Sequence, residues 1–155
     1  MRLKRGFRGW WIALAAALAD RLTKLLAAAA PGRRALVPGV IDLRPVQNRG
    51  MAFSMLSGQT LALTVLTALL IAALVGWLAA RPGAPRLLRL GLWLIVGGGL
   101  GNLYDRLFTG SVTDFIELAF VRFAVFNVAD ICICAGAAMA VLGSIRIDEA
   151  KGTKP

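Results

Sequence analysis

The sequence predicts an all-α membrane protein with four transmembrane helices, and three observations lead to that fold class. The chain has 155 residues, enough for one domain, and 58% of them are apolar, against roughly 45–50% in soluble domains. The mean hydropathy is +0.72. Four apolar runs are each long enough to cross a bilayer of about 30 Å as a helix. We therefore expect a single integral membrane domain over residues 1–155.

The charged residues and the cysteines exclude several function classes. The net charge is +10, but the basic residues flank the apolar runs and are not interleaved with aromatic residues. Anionic lipid headgroups are therefore the expected partners, and nucleic acid is not. The chain has no histidine, which removes imidazole catalysis and the commonest metal ligand. Cys132 and Cys134 lie within an apolar run, which indicates packing, so we expect neither a metal nor a cofactor.

The first span is predicted at residues 10–30, after a basic N-terminus. Its beginning resembles a secretory signal with a possible cleavage site at residues 17–19, but the apolar run continues beyond that site and favours a span. Asp20 and Lys24 interrupt this run and share a helix face. They either neutralise each other or form an internal polar face that meets a site. We favour the second interpretation, because each charge costs about 2.5–3.5 kcal/mol near the centre of a membrane helix.

The other three spans are predicted at residues 60–80, 87–107 and 125–145. The third contains four glycines in its second half, which allow another helix to approach closely. An external loop at 31–59 separates the first two spans, and no long helix fits through its prolines. Within that loop, residues 40–43 are typical of a short strand, and residues 52–56 of an amphipathic patch on the membrane surface. A second external loop covers 108–124.

Four spans place both termini on one side of the membrane, and the basic residues indicate which side. The two termini and the turn at residues 81–89 hold ten of these residues, whereas the two long loops hold five. We therefore expect both termini in the cytoplasm and the loops 31–59 and 108–124 outside. In this topology nearly all the unusual polar residues fall near the outer membrane face. They are Lys24, Asn48, Asn102, Asp105, Arg106, Asp114, Asn127 and Asp130.

Three carboxylates in this group, those of Asp105, Asp114 and Asp130, lie in or beside apolar runs, which penalise ionised side chains. Two carboxylates held close together cannot both ionise easily, so they share a proton. The ionised member can take a proton from water while the protonated member donates one, as in aspartic proteases. The alternative is that the aspartates cap helices or pair with Arg106 and Arg122. The residues alone leave open which two form a pair.

Five motifs in order along the chain resemble those of lipoprotein signal peptidase, the type II signal peptidase of bacteria. They are Asp20-x-x-Thr23-Lys24, Asn48-x-Gly50-x-Ala52-Phe53, Gly98-x-x-Gly101-Asn102-x-x-Asp105-Arg106, Asp114-Phe115 and Phe126-Asn127-x-Ala129-Asp130. The resemblance covers nearly the whole chain. It implies an aspartic endopeptidase in the bacterial cytoplasmic (inner) membrane. The expected substrate is a prolipoprotein whose cysteine carries diacylglycerol, cut on the amino side of that cysteine.

The resemblance also implies roles for residues. Asp114 and Asp130 match the catalytic pair. Six residues match positions around the pair and the substrate, namely Asn48, Gly50, Asn102, Arg106, Asn127 and Ala129. Asp20, Lys24 and Asp105 match polar residues that support the site. A small external β-cradle and a short external helix are expected within 31–57, together with contacts to membrane lipids, inhibition by globomycin-type cyclic peptides, and a monomeric chain.

The sequence departs from the family pattern at three features of one connection. Thr113 stands where the family usually has Val, Ala124 stands where Pro is common, and the segment between Asp114 and Asp130 is short. These departures affect the conformation of the connection and are compatible with a divergent or inactive paralogue. The other alternative is a small proton-coupled transporter. Such a transporter would need polar residues throughout the membrane depth, but the second span has no charged residue.

Overall fold

A computed structural model of the chain describes residues 7–50 and 58–152. The described residues form four long helices and one small sheet. The helices are α1 (Trp10–Ala28), α2 (Thr60–Ala80), α3 (Arg86–Thr109) and α4 (Val128–Gly152), and the strands are β1 (Arg34–Val37), β2 (Ile41–Asn48) and β3 (Val112–Leu118). Each helix corresponds to one predicted span. The predicted patch at residues 52–56 and the expected short external helix, as far as it would use residues 51–57, lie outside the described residues.

Three of these helices are long and apolar enough to cross a membrane, namely Thr60–Ala80, Arg86–Thr109 and the Val128–Ile145 part of α4. Helix α1 is shorter, with 19 residues, and its apolar run is interrupted by Asp20, Arg21 and Lys24. The crossing of the membrane by α1 therefore stays a prediction. Helix α3 packs against all three other helices. Its buried residues Leu88, Leu92, Trp93 and Val96 form the core with Leu78 of α2 and Ala13 of α1.

The contact between α3 and α4 depends on glycines that face each other. A Cβ atom added to Gly136 of α4 would lie 2.5 Å from the carbonyl oxygen of Gly91 on α3 and 2.8 Å from the Cγ1 atom of Ile95. Neither backbone can shift without disturbing the rest of a packed helix. The two helices therefore reach their close approach, and hold the site described below, because no side chain separates them there.

Gly136→Ala should destabilise the protein by about 1–3 kcal/mol, because the added methyl group overpacks this crossing. Gly76→Ala is the matched control, because a Cβ atom at Gly76 of α2 would meet no atom within 4 Å. Thermal unfolding in one detergent should show a lower midpoint for Gly136→Ala and an unchanged or higher midpoint for Gly76→Ala. Equal midpoints for the two variants would contradict the close packing of α3 on α4.

The three strands form an antiparallel sheet in the order β1-β2-β3. Strand β2 contains most of the strand predicted at 40–43 and continues to Asn48, with a register shift between Leu43 and Val46. The prediction treated residues 108–124 only as a connection, and this was incomplete, because β3 lies within it. The register of β2 and β3 pairs Val46 with Asp114 and Asn48 with Val112. The sheet agrees with the small β-cradle that the family resemblance implies, and it lies where α1 and α3 end and α4 begins.

Candidate active site

Asp114 and Asp130 meet at one cavity of about 520 Å³. Asp114 is on β3, and Asp130 is in the first turn of α4. Asn127 connects the two carboxyl groups: its side-chain Nδ2 donates a 2.7 Å hydrogen bond to Asp114 Oδ1, and its backbone N–H donates a 3.1 Å bond to Asp130 Oδ2. The third candidate, Asp105, is buried behind the cavity and does not line it. The geometry therefore brings together two of the three carboxylates, and they are the two that the resemblance assigns to catalysis.

Asp130 and Asn127 also form a reciprocal cap at the start of α4. Asn127 Oδ1 accepts a 3.0 Å hydrogen bond from the backbone N–H of Asp130, while Asp130 Oδ2 accepts the bond from the backbone N–H of Asn127. This arrangement is a capping box, and it fixes the Asp130 carboxyl against the helix backbone. It also places that carboxyl in the first turn of α4, at the end of the helix where the backbone N–H groups are free to donate. The alternative prediction that an aspartate caps a helix is therefore confirmed for Asp130. The cap does not exclude a place in the pair, because Asp130 also lines the cavity.

Three asparagines surround the two carboxyl groups. Asn102 Nδ2 donates a 2.9 Å hydrogen bond to Asp130 Oδ1, and Asn48 Nδ2 donates a 2.8 Å bond to Asp114 Oδ2. With the bonds from Asn127, each oxygen of the pair accepts a hydrogen bond. These amide donors fix the orientation of both carboxyl planes toward the cavity. Asn48 can reach Asp114 because β2 and β3 pair side by side at this point.

The burial of Asp114 changes its acid–base behaviour. Asp114 is 3% exposed, and this burial is the main reason why its pKa rises from 3.8 to about 6. The negative charge of Asp130 also raises this pKa, whereas the hydrogen bonds from Asn48 and Asn127 lower it. The two carboxyl groups therefore differ: one is buried and holds a proton more readily, and the other is partly exposed at a helix N-terminus.

Arg106, Gly50 and Ala129 are also close to the pair. Arg106 lines the cavity, and its Nη2 donates a 3.2 Å hydrogen bond to the carbonyl oxygen of Gly50, which joins α3 to the external loop. Ala129 is fully buried beside Asp130. Asp105, which was also considered as a partner of Arg106, forms ion pairs with α1: it lies 3.0 Å from Lys24 Nζ and 3.6 Å from Arg21 Nη1.

Sequence reasoning missed part of the cavity wall. Residues 123–126, which precede α4, line the cavity together with Ile131, Ile133, Cys134 and Ala135 of α4. The apolar run in front of Asn127 was a signal for this wall, although it was assigned to the span. Within residues 7–50 and 58–152, no cluster of three or more His, Cys, Asp or Glu residues has the arrangement of a metal site. Because this wall is mainly apolar and the two carboxyl groups line the same cavity, the site can bind an apolar ligand beside the pair.

One carboxyl group of the pair lies on a strand and the other on a helix that is long and apolar enough to cross a bilayer, and both are at the edge of a mainly apolar cavity. Such a site is typical of a membrane enzyme. Two solved bacterial membrane enzymes, both determined by the in meso method, have this fold. The chain superposes on the first, at 2.3 Å resolution, with a TM-score of 0.85 and 25% identity, over 94% of this chain and 92% of that one. The second, at 1.9 Å resolution, gives a TM-score of 0.76 and 26% identity, over 85% of this chain and 88% of that one.

The chain belongs to the signal peptidase (SPase) II family, whose model matches residues 12–146. It is similar to the lipoprotein signal peptidase of Gloeobacter violaceus, with 40% identity over 145 residues, 88% of this chain and 81% of that protein. The lipoprotein signal peptidase of Thermosynechococcus vestitus is 37% identical over 82% and 84% of the two chains. The lipoprotein signal peptidase of Clostridium acetobutylicum is 36% identical over 88% of this chain and 93% of that protein.

Proposed function

We propose that this chain removes signal peptides from lipoproteins by aspartic catalysis, with Asp114 and Asp130 as the catalytic pair. The observation that carries the proposal is the meeting of these two carboxyl groups at one cavity, joined by hydrogen bonds from Asn127. Membership of the signal peptidase II family supports the protease activity, and the names of the relatives support lipoproteins as substrates. No histidine is available for a different general base.

The difference between the two carboxyl groups assigns their roles. Asp130, at the positive end of α4 and partly exposed to the cavity, is the carboxylate that takes a proton from water. Asp114, which is buried and has a raised pKa, is the acid. The water oxygen attacks the carbonyl carbon of the scissile peptide bond while Asp114 protonates the carbonyl oxygen. Asp130 then passes its proton to the leaving amine nitrogen as the carbon–nitrogen bond breaks, and Asp114 regains its own proton from the gem-diol.

The cavity fits a substrate that carries lipid. Its polar groups lie at one end, and the wall formed by residues 123–126 and the first turns of α4 is mainly apolar. A prolipoprotein whose cysteine carries diacylglycerol would place its acyl chains on this wall, with the peptide bond on the amino side of the cysteine at the aspartates. Arg106, beside Gly50, is placed to bind a carbonyl oxygen of the substrate near the pair.

The orientation in the membrane follows from the basic residues. Both termini lie in the cytoplasm, and α1 crosses the membrane together with α2, α3 and α4, which gives four spans. The pair lies near the outer face of a bacterial cytoplasmic membrane. The protein is a monomer, and the exposed leucines of α1 and α2 face membrane lipids. Globomycin-type cyclic peptides would compete for the same cavity, as the family resemblance implies.

The test is cleavage of a defined substrate by the purified protein. A prolipoprotein with a diacylglyceryl cysteine should yield a released signal peptide and a product with cysteine at its N-terminus, both identified by mass spectrometry. The same prolipoprotein without the lipid is the control and should be cut at least about 100-fold more slowly, because the acyl chains position the peptide bond. Absence of cleavage by the folded protein would overturn the proposal.

The activity should depend on pH through Asp114. Because this residue is the acid, its protonated form is active, and kcat/KM should decline as the pH rises through about 6. Asn48→Ala removes a hydrogen bond that lowers the pKa of Asp114, so the decline should move to higher pH. Gln47→Ala, at the preceding residue of β2, should leave the midpoint unchanged. A profile that is flat between about pH 5 and pH 8 would show that Asp114 is not the proton donor.

A further inference from the structure

A second charged cluster lies directly behind the aspartate pair, and the mechanism above does not use it. Lys24 of α1 is at its centre. Its Nζ atom lies 2.8 Å from Asp20 Oδ2 and 3.0 Å from Asp105 Oδ2, and it donates a 2.9 Å hydrogen bond to Asn102 Oδ1. Lys24 is only 2% exposed, and Asp20 and Asp105 are each 1% exposed. A cluster buried this deeply needs all its partners, because an unpaired ion is costly away from water.

Each of the two carboxylates also holds the backbone of a catalytic segment. Asp20 Oδ1 accepts a 2.9 Å hydrogen bond from the backbone N–H of Ala129, the residue before Asp130. Asp105 Oδ2 accepts a 3.1 Å bond from the backbone N–H of Thr113, the residue before Asp114. The two aspartates of the pair lie on separate elements, α4 and β3, and both of these elements are tied to carboxylates that share Lys24.

The third contact of Lys24 fixes a side chain that touches the pair. Asn102 Oδ1 accepts from Lys24, so Asn102 Nδ2 faces Asp130 Oδ1 at 2.9 Å. A rotation of this amide by half a turn would set its NH₂ group against the ammonium and its oxygen against the carboxylate, and both contacts would be repulsive. Asn127 Nδ2 donates a 3.1 Å hydrogen bond to the same oxygen of Asn102. Lys24 and Asn127 therefore together set which end of Asn102 reaches the pair.

The packing of α3 makes room for this cluster. A Cβ atom at Gly101 of α3 would collide with Asp20 Oδ2. Gly101 thus allows the Asp20 side chain to pass between α1 and α3 and to reach Ala129 on α4. The connection from Lys24 to Asp130 crosses three helices through these short polar contacts.

We infer that Lys24 is a positioning residue: by binding Asp20, Asp105 and Asn102 together, it sets the separation and orientation of Asp114 and Asp130. This inference rests on the proposed function, since it assigns a task to Lys24 within that reaction. Lys24 does not line the cavity, and it acts on the reaction through the groups that it holds. Its loss should therefore slow the chemical step and leave substrate binding unchanged.

The test compares Lys24→Met, Lys24→Arg and Arg21→Met in the purified, full-length protein with the lipidated prolipoprotein. Lys24→Met should lower kcat by at least about 100-fold with KM changed by less than about threefold, because small displacements of reacting groups have effects of this size. Lys24→Arg keeps the charge and should recover part of the lost kcat. Arg21→Met is the matched control: Arg21 approaches the same Asp105 at 3.6 Å, but its side chain is 40% exposed, so both constants should stay within about threefold.

A second pair of variants decides the question if Lys24→Met does not fold. Asp105→Asn retains an oxygen that can accept the backbone N–H of Thr113, whereas Asp105→Leu retains none. Asp105→Leu should lose at least about 100-fold in kcat, and Asp105→Asn less than about tenfold. An unchanged kcat in a folded Asp105→Leu, or a folded Lys24→Met with unchanged kcat, would overturn the inference alone. Absence of cleavage by the unaltered protein would overturn the proposed function and the inference with it.

Discussion

Asp114→Asn and Asp130→Asn should each abolish the cleavage of a lipidated prolipoprotein, with kcat lowered by about 10²–10⁴-fold. Asparagine has nearly the same shape as aspartate and can occupy the same place, but it cannot give or take the proton. The two losses should be similar, and the double variant should be little worse than either single variant, because the two groups act as one unit in a single proton exchange. Cleavage rates from mass spectrometry, measured on equal amounts of folded protein, test this.

The control for these variants is Asp42→Asn. Asp42 lies on β2 in an ion pair with the exposed Arg33, at 2.8 Å, and does not line the cavity. Its replacement should leave kcat within about twofold, because exposed ion pairs contribute little. If Asp114→Asn retained activity while Asp105→Asn lost it, the catalytic pair would have to be assigned to different residues.

The helices could be predicted well because an apolar run is a local property of the sequence. Helix α2 begins and ends at the predicted residues 60 and 80. Helix α4 begins at Val128, three residues after the predicted start of the span at 125. An apolar run does not show where a helix begins, whereas a capping residue does, and Asn127 with Asp130 three residues later is the pattern of a capping box.

Strand β3 could not be predicted in the same way. It has seven residues and forms by pairing with β2, and Asn48 and Val112, which are partners in the register, are far apart in the sequence. The stability of a strand comes mainly from its neighbours. A short segment of mixed polar and apolar residues therefore does not show by itself whether it forms a strand or a loop. The consequence for function is direct, because this pairing brings Asn48 to Asp114.

The sequence alone left three carboxylates as candidates for a pair, and the helix geometry explains why one of them lies apart. Asp105 and Arg106 are consecutive residues of α3, so their side chains point in directions about 100° apart and do not face each other. Asp105 faces Lys24 of α1, while Arg106 faces the cavity. Contacts between different helices decide this separation. Spacing along one helix therefore could not show it.

Asn127→Ala should have the second large effect, on activity and on stability together. Asn127 is fully buried, and its side chain donates to Asp114, donates at 3.1 Å to Asn102 Oδ1, and caps α4. Its loss removes a helix cap, at a cost of about 0.5–2 kcal/mol, and leaves buried polar partners unpaired, at about 1–3 kcal/mol each. We expect a fall in kcat of at least about 100-fold, because the Asp114 carboxyl is no longer held in place.

Asn127→Ser separates the two effects. Serine is a good N-cap residue, so it should restore most of the stability that alanine removes, as measured by thermal unfolding in detergent. Its short hydroxyl does not extend to both Asp114 and Asn102, so kcat should stay low. If Asn127→Ser recovered full activity, Asn127 would act only as a helix cap. A stable but slow Asn127→Ser would show that the amide of Asn127, by contacting both Asp114 and the start of α4, joins the two aspartates.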